Sequence, residues 1–189
     1  MTISYNKLTM IAAEHLMTAA ELLQTPGLGR CELVHGELIP MTPAGFEHGR
    51  IAAEIGWVLK EFVKRRPLGT VTGAETGFQI GRDPDTVRAP DAAFIRADRV
   101  PPTPVRGFFP EAPDLAVEVL SPGDRASEVA AKVQDWLAAG CRMVWVVDPE
   151  TTTVTVYRGR NQIAILGSSD VLVGDDVLPG FSVPVGSLF

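Results

Sequence analysis

The chain is poor in the residues that announce specialised chemistry. Of its 189 residues only two are cysteines, Cys31 and Cys141, and their separation matches neither a metal knuckle nor a disulfide framework. Both read as reduced thiols of a cytoplasmic protein. Histidine occurs three times, so a histidine-rich metal centre is excluded. Positive charge is scarce as well: 17 Lys and Arg stand against 23 Asp and Glu, a net charge of −6. That balance argues against a surface that binds nucleic acid all over and leaves room only for a local basic groove. No window approaches 18 consecutive apolar residues, and the N-terminus lacks a basic segment followed by an apolar run, so neither a membrane span nor a secretion leader is expected. Low-complexity tracts and internal repeats are absent too. What remains is an ordinary globular composition, 46% hydrophobic and 21% charged, in a length that suits one domain.

The periodicities alternate between strand and helix. "MTAAELLQTPG" carries Thr18 and, three residues on, Glu21, a capping-box pattern for a short helix that stops before Pro26-Gly27. "CELVHGELIPM" predicts a hairpin turning at His35-Gly36. From Glu47 to Arg66, Ile51, Ile55, Val58, Leu59 and Phe62 recur at helical spacing. "TVTGAETGFQI" (70–80) predicts a strand with an irregularity near Gly73, and "RAPDAAFI" a second strand after the turn at "DPDT". "RMVWVVD" (142–148) predicts a strand, and the apolar runs 115–120 and 143–147 are separated by the helical "ASEVAAKVQDWLAAG". Such runs predict neighbouring parallel strands covered on both faces. "TTVTVYR" and "NQIAIL" predict further strands, and the tail "VLPGFSVPVGSLF" an irregular segment with apolar anchors. Trp57, Trp136 and Trp145 are all expected in the core. The resulting fold class is α/β (α+β), a mixed central sheet flanked by helices. We expect an N-terminal helix and hairpin in residues 1–45, a core in 46–158, and a C-terminal strand and tail in 159–189.

One residue breaks this pattern. Glu118 lies inside the apolar run 115–120, where an unpaired carboxylate costs several kcal/mol. Asp114 shares its strand face but lies four residues away, about 13 Å along a strand, too far to hold the same ion. Asp114 is expected to bond the preceding loop instead. Asp91 opens the apolar strand "PDAAFI", and adjacent strands would bring it beside Glu118. The Val119 carbonyl could add a third oxygen. Lys132 flanks the buried stripe of the following helix and can reach back over the strand. Two carboxylates, a divalent ion and a lysine are the components of phosphodiester hydrolysis.

"PD" at 90–91, "EVLSP" at 118–122 and a lysine in the next helix resemble the PD-(D/E)XK nuclease superfamily. More narrowly, "ELVHGELIPM", "APDLAVEVLSPGD" and "AAKVQDWLAAGCRMVWVVDPETTTVTVYR" resemble the Uma-type family of restriction endonucleases, collinearly over nearly the whole chain. The superfamily's lysine position, two residues after the glutamate, is Leu120 here. The resemblance implies a restriction-endonuclease-like fold with the lysine moved to Lys132. It also implies a cytoplasmic Mg²⁺- or Mn²⁺-dependent endonuclease acting on DNA, and Glu37 as an accessory acid near the metal. Glu32, Glu54 and His48 are weaker candidates. DNA contacts are expected at His48, Lys60, Lys64 and Arg65, and a duplex cutter suggests a homodimer. Two alternatives stand beside this one: an inactive relative of the same fold that binds DNA or regulates, and a structural or partner-binding module.

Overall fold

A computed structural model describes residues 16–159 and 161–189. The leader expectation concerned the first residues, and 1–15 lie outside the described ones. Helix α1 (Ala19–Gln24) carries the full capping box: the Thr18 hydroxyl accepts from the Glu21 N–H, and the Glu21 carboxylate accepts from the Thr18 N–H. Strands β1 (Cys31–Val34) and β2 (Glu37–Pro40) form the expected hairpin. His35 and Gly36 both adopt positive φ there, as a two-residue turn with the twist of its strands requires. Helix α2 runs Phe46–Lys64 and α3 Ala126–Ala138, with Gly140 at φ +93° just beyond α3.

The two extended stretches that read as single strands are each broken. Residues 70–80 divide into β3 (Gly69–Gly73) and β4 (Phe78–Gly81), and 86–96 into β5 (Thr86–Arg88) and β6 (Ala92–Arg96). Each pair separates between two sheets. One sheet has the order β2-β1-β5-β4, and the other contains β6 next to β3. The second break falls at Pro90, which has no N–H for a ladder and therefore suits a crossing point between sheets. β7 (Leu115–Val119), β8 (Met143–Asp148), β9 (Thr153–Tyr157) and β10 (Ile163–Leu166) complete the larger sheet, in the order β10-β9-β8-β7-β6-β3. β7 and β8 pair in parallel through the α3 crossover, and every other pairing in that sheet is antiparallel.

The larger sheet buries both faces because alternate residues of β7 serve opposite layers. Leu115, Val117 and Val119 pack with Ile51, Ile55, Leu59 and Val63 of α2. Ala116 packs with Val133 and Trp136 of α3. Glu118 belongs to this second face. The tail is more ordered than expected, with β11 (Val171–Val173) pairing β12 (Ser182–Pro184) and a 3-10 turn following at Val185–Leu188. Its Leu178, Phe181, Val185 and Leu188 join the α2-side core. Trp136 and Trp145 are fully buried, whereas Trp57 is 62% exposed. Trp57 falls on the side of α2 turned away from Ile51, Ile55 and Leu59, so its helical phase overrules the core position expected from the sequence.

Candidate active site

Asp91 sits where the chain passes from one sheet to the other. Its N–H donates to the Val117 carbonyl at 2.9 Å, tying it to β7. One carboxylate oxygen, Oδ2, accepts from the Val119 N–H at 2.7 Å, and Oδ1 lies 2.9 Å from His48 Nε2. His48 belongs to the first turn of α2, and its Nδ1 lies 3.0 Å from Ser121 Oγ in the loop after β7. The hydrogen bond to Asp91 holds the His48 pKa above its ordinary value, against the opposing effect of burial. Three segments distant in sequence are pinned together by one imidazole.

Glu118 points toward α3 and is 6% exposed. Its Oε1 accepts from the Trp136 indole N–H at 2.8 Å, and Oε2 lies 3.4 Å from Lys132 Nζ. Lys132 and Trp136 are four residues apart on α3, so one helix face supplies both donors. The same ammonium is 3.7 Å from Glu32 Oε1 on β1. Glu32 also accepts from Arg88 Nη1 at 2.7 Å and from the Ala89 N–H at 3.1 Å, and Arg88 continues to Asp135 at 2.5 Å. A single chain of charges therefore runs from β7 through α3 into the smaller sheet.

This chain is short of positive charge. Burial pushes the Glu118 carboxyl up to about 7; Lys132 opposes that rise, and the negative Asp91 and Glu32 add to it. Burial tends to lower the Lys132 pKa, but Glu118 and Glu32 outweigh it and the net shift is upward. Asp91 and Glu118 thus feel each other's charge while each also touches its own donors.

Asp91, Glu118 and Lys132 are brought into one neighbourhood, joined by His48 and Glu32. Glu37 is not among them: it is exposed at the start of β2, opposite Val34, and makes none of these contacts. Its hairpin partner strand supplies Glu32 instead: both glutamates face the same side of the hairpin, but β1 is an inner strand beside β5 and Arg88, whereas β2 is the edge strand. Glu54 makes none of these contacts either. Lys60 lines a cleft of about 520 Å³ beside His48 and Asp91, whose α2 wall is made of Gly49, Ala53 and Gly56. Lys64 and Arg65 lie further along α2 and are exposed, Arg65 pairing with Glu61. Asp114 accepts from the Arg96 N–H and pairs with Arg99 at 3.0 Å, a structural role near the preceding loop. Arg88, Asp135 and Ser121 went unread in the sequence, and Trp136 was read only as a core residue. Arg88 carried a usable signal, a lone charge in the apolar stretch before "APD".

The donors suit a hard divalent cation. Buried carboxylate oxygens with excess negative charge match Mg²⁺ or Mn²⁺, and Glu118 with its raised pKa is the member such an ion would return to the ionised form. No group of three or more His, Cys, Asp or Glu side chains able to hold a metal occurs among the described residues. The remaining coordination positions would fall to water and a substrate phosphate, as Mg²⁺ commonly arranges.

A mixed sheet between helices, with acids at the strand ends where two sheets meet, defines the restriction-endonuclease-like fold. The chain belongs to the Uma2 family, described as putative restriction endonuclease, whose family model matches residues 19–186. A crystal structure from Anabaena variabilis ATCC 29413, described as a putative nuclease belonging to DUF820, matches with a TM-score of 0.80 at 24% identity. That match covers 92% of this chain and 97% of the other. No curated protein matches. Family and fold together support a nuclease function. No helix among the described residues is long and apolar enough to cross a membrane.

Proposed function

We propose that the protein is a metal-dependent endonuclease that hydrolyses phosphodiester bonds in DNA at the Asp91–Glu118–Lys132 group. The observation that carries this reading is the seating of Lys132, which reaches from α3 to within 3.4 Å of a buried glutamate in the middle of an apolar strand. Asp91 and Glu118 hold Mg²⁺ or Mn²⁺, with the Val119 carbonyl as a further oxygen. Bound there, the ion polarises the phosphate and lowers the pKa of water. Lys132 orients the attacking water and offsets charge that develops on the phosphate. Glu32 takes the accessory role first assigned to Glu37, since it shares Lys132 with Glu118. His48 fixes the rotamer of Asp91 while Ser121 fixes that of His48. A homodimer would present two such groups side by side, and light scattering that finds only monomer would count against it.

The test is cleavage of supercoiled plasmid and single-stranded DNA with Mg²⁺ or Mn²⁺. Lys132→Ala is expected to lower the rate by about 100-fold or more while leaving the fold intact. Calorimetry with Mn²⁺ should show binding by the wild type that Asp91→Asn and Glu118→Gln lose. A second reading, an inactive DNA-binding or regulatory relative, draws on one fact: both oxygens of both carboxylates already have protein donors or an ammonium beside them. Absence of Mn²⁺ binding, or binding indifferent to those substitutions, would decide for that reading.

A further inference from the structure

The cleft beside Asp91 has an outer rim that the hydrolytic chemistry does not use. Phe46, Arg50, Ala53, Trp57, Lys60 and Lys64 follow one another at steps of three and four residues and so share one stripe of α2. Ala53 and Lys60 line the cleft, which places Trp57, between them, at its edge. Trp57 is 62% exposed and Phe46, one turn before the cleft-lining Gly49, is 83% exposed. Two large aromatics on the outside of one helix are unusual in a chain with 7% aromatic residues. The cations on the stripe are unusual as well. Arg50 pairs with Glu47, but Lys60 and Lys64 have no ion-pair partner among the described residues of a protein whose net charge is −6. Arg30 faces the same cleft but is paired with Glu75 at 3.0 Å.

We infer that this rim binds unpaired nucleotides, with Trp57 and Phe46 stacking bases while Lys60 and Lys64 meet the phosphates. The substrate is then a single-stranded or locally opened segment. The inference rests on the nuclease reading and specifies its substrate. Free amines beside exposed rings are the combination that single-strand binders use. A closed duplex offers only its backbone at this height, and the rings would gain nothing from it. A second copy of the chain is a poorer occupant, because the stripe carries Arg50, Lys60 and Lys64 and no acid of its own, so a two-fold contact across it brings cations toward cations.

Trp136 and Trp145 are fully buried, so emission that acrylamide can quench reports on Trp57. The full chain is titrated in EDTA with short oligothymidylate and with a duplex of equal length. We expect oligothymidylate to shield Trp57 from acrylamide. Trp57→Ala and Phe46→Ala should each weaken single-strand binding about tenfold or more, with Trp57→Phe retaining most of it and duplex binding weak and indifferent to all three. Unchanged melting temperatures would show that these surface variants fold. Equal affinity of wild type and Trp57→Ala for oligothymidylate would overturn the inference. So would equal losses on duplex and single strand, or a wild-type dimer that Trp57→Ala converts to monomer with binding unchanged. The nuclease reading is scored separately. Metal-dependent plasmid cleavage by wild type, alongside Trp57-independent binding, would remove the stacking rim and keep the nuclease. Trp57-dependent binding without cleavage under Mg²⁺ or Mn²⁺ would do the reverse.

Discussion

Glu118 shows how much one side chain can set the terms for a site. Its carboxyl titrates near 7 in the folded state against 4.5 when exposed, so between those values the folded protein holds a proton that the unfolded chain has released. Stability from this group is complete below about pH 4.5 and is lost as pH rises through about 7, a change on the order of 3 kcal/mol. Glu118→Gln keeps an acceptor for the Trp136 indole and removes the titration. In metal-free urea melts, wild type should therefore lose stability relative to Glu118→Gln between about pH 5 and pH 7. Parallel curves for the two proteins would contradict this. Mn²⁺ should stabilise the wild type near neutrality and leave Glu118→Gln unmoved, since only a protein that binds the ion gains by mass action.

Strand β5 ends in the residue that joins the two sheets electrostatically. Arg88 is 6% exposed and answers two carboxylates, Glu32 at 2% exposure and the half-buried Asp135. Removing it leaves Glu32 uncompensated next to Lys132 alone. Arg88→Ala is expected to cost about 3–5 kcal/mol in urea unfolding, as for other broken buried pairs. Arg88→Lys should recover only part of that loss, since a single ammonium cannot reproduce a guanidinium that reaches Glu32 and Asp135 together. A loss below about 1 kcal/mol for Arg88→Ala would show that β1 and α3 are held by packing rather than by this charge bridge. Two residues beyond β5 comes Pro90, whose missing N–H lets the chain leave the smaller sheet just before Asp91 reaches the larger one.

At the scale of the molecule, the C-terminal tail closes the core rather than trailing from it. Leu178, Phe181, Val185 and Leu188 are each at most 4% exposed. At about 1.5–3 kcal/mol per buried side chain, their removal costs about 6–12 kcal/mol, comparable to the roughly 5–15 kcal/mol that holds a typical domain together. Deletion of residues 177–189 should leave a chain without a cooperative thermal transition by circular dichroism, and a sharp transition would show that the tail is dispensable. The charge distribution makes a second claim. With net charge −6 and few unpaired cations near the cleft, nucleic-acid binding should depend only shallowly on salt. Engagement of Arg30, Lys60 and Lys64 with single-stranded DNA predicts a log–log slope of about −2. A slope steeper than about −5 would mean that most of the contact surface lies elsewhere.

Local pattern alone determined the helices α2 and α3, the parallel pair β7–β8, the hairpin at Gly36 and the anomaly of Glu118. Each depends on period, capping or turn chemistry within a few residues, and a carboxylate inside an apolar run is conspicuous without any coordinates. The stretch 70–80 reads as one strand with an irregularity near Gly73 and "RAPDAAFI" as another, because extended backbone looks the same whichever sheet it joins. Only long-range pairing divided them at Glu75 and Pro90. The hairpin's two glutamates were likewise indistinguishable by type. Glu32 rather than Glu37 entered the charge chain because β1 lies inside the smaller sheet beside β5 and Arg88, while β2 is its edge, a relation set by strand order. Trp57 reads as a core position in the sequence and lies outside because of its phase around α2. Composition and spacing could name the acids and the amine, but which of them share a low-dielectric pocket was decided by tertiary packing, where charges distant in sequence are forced to compensate one another.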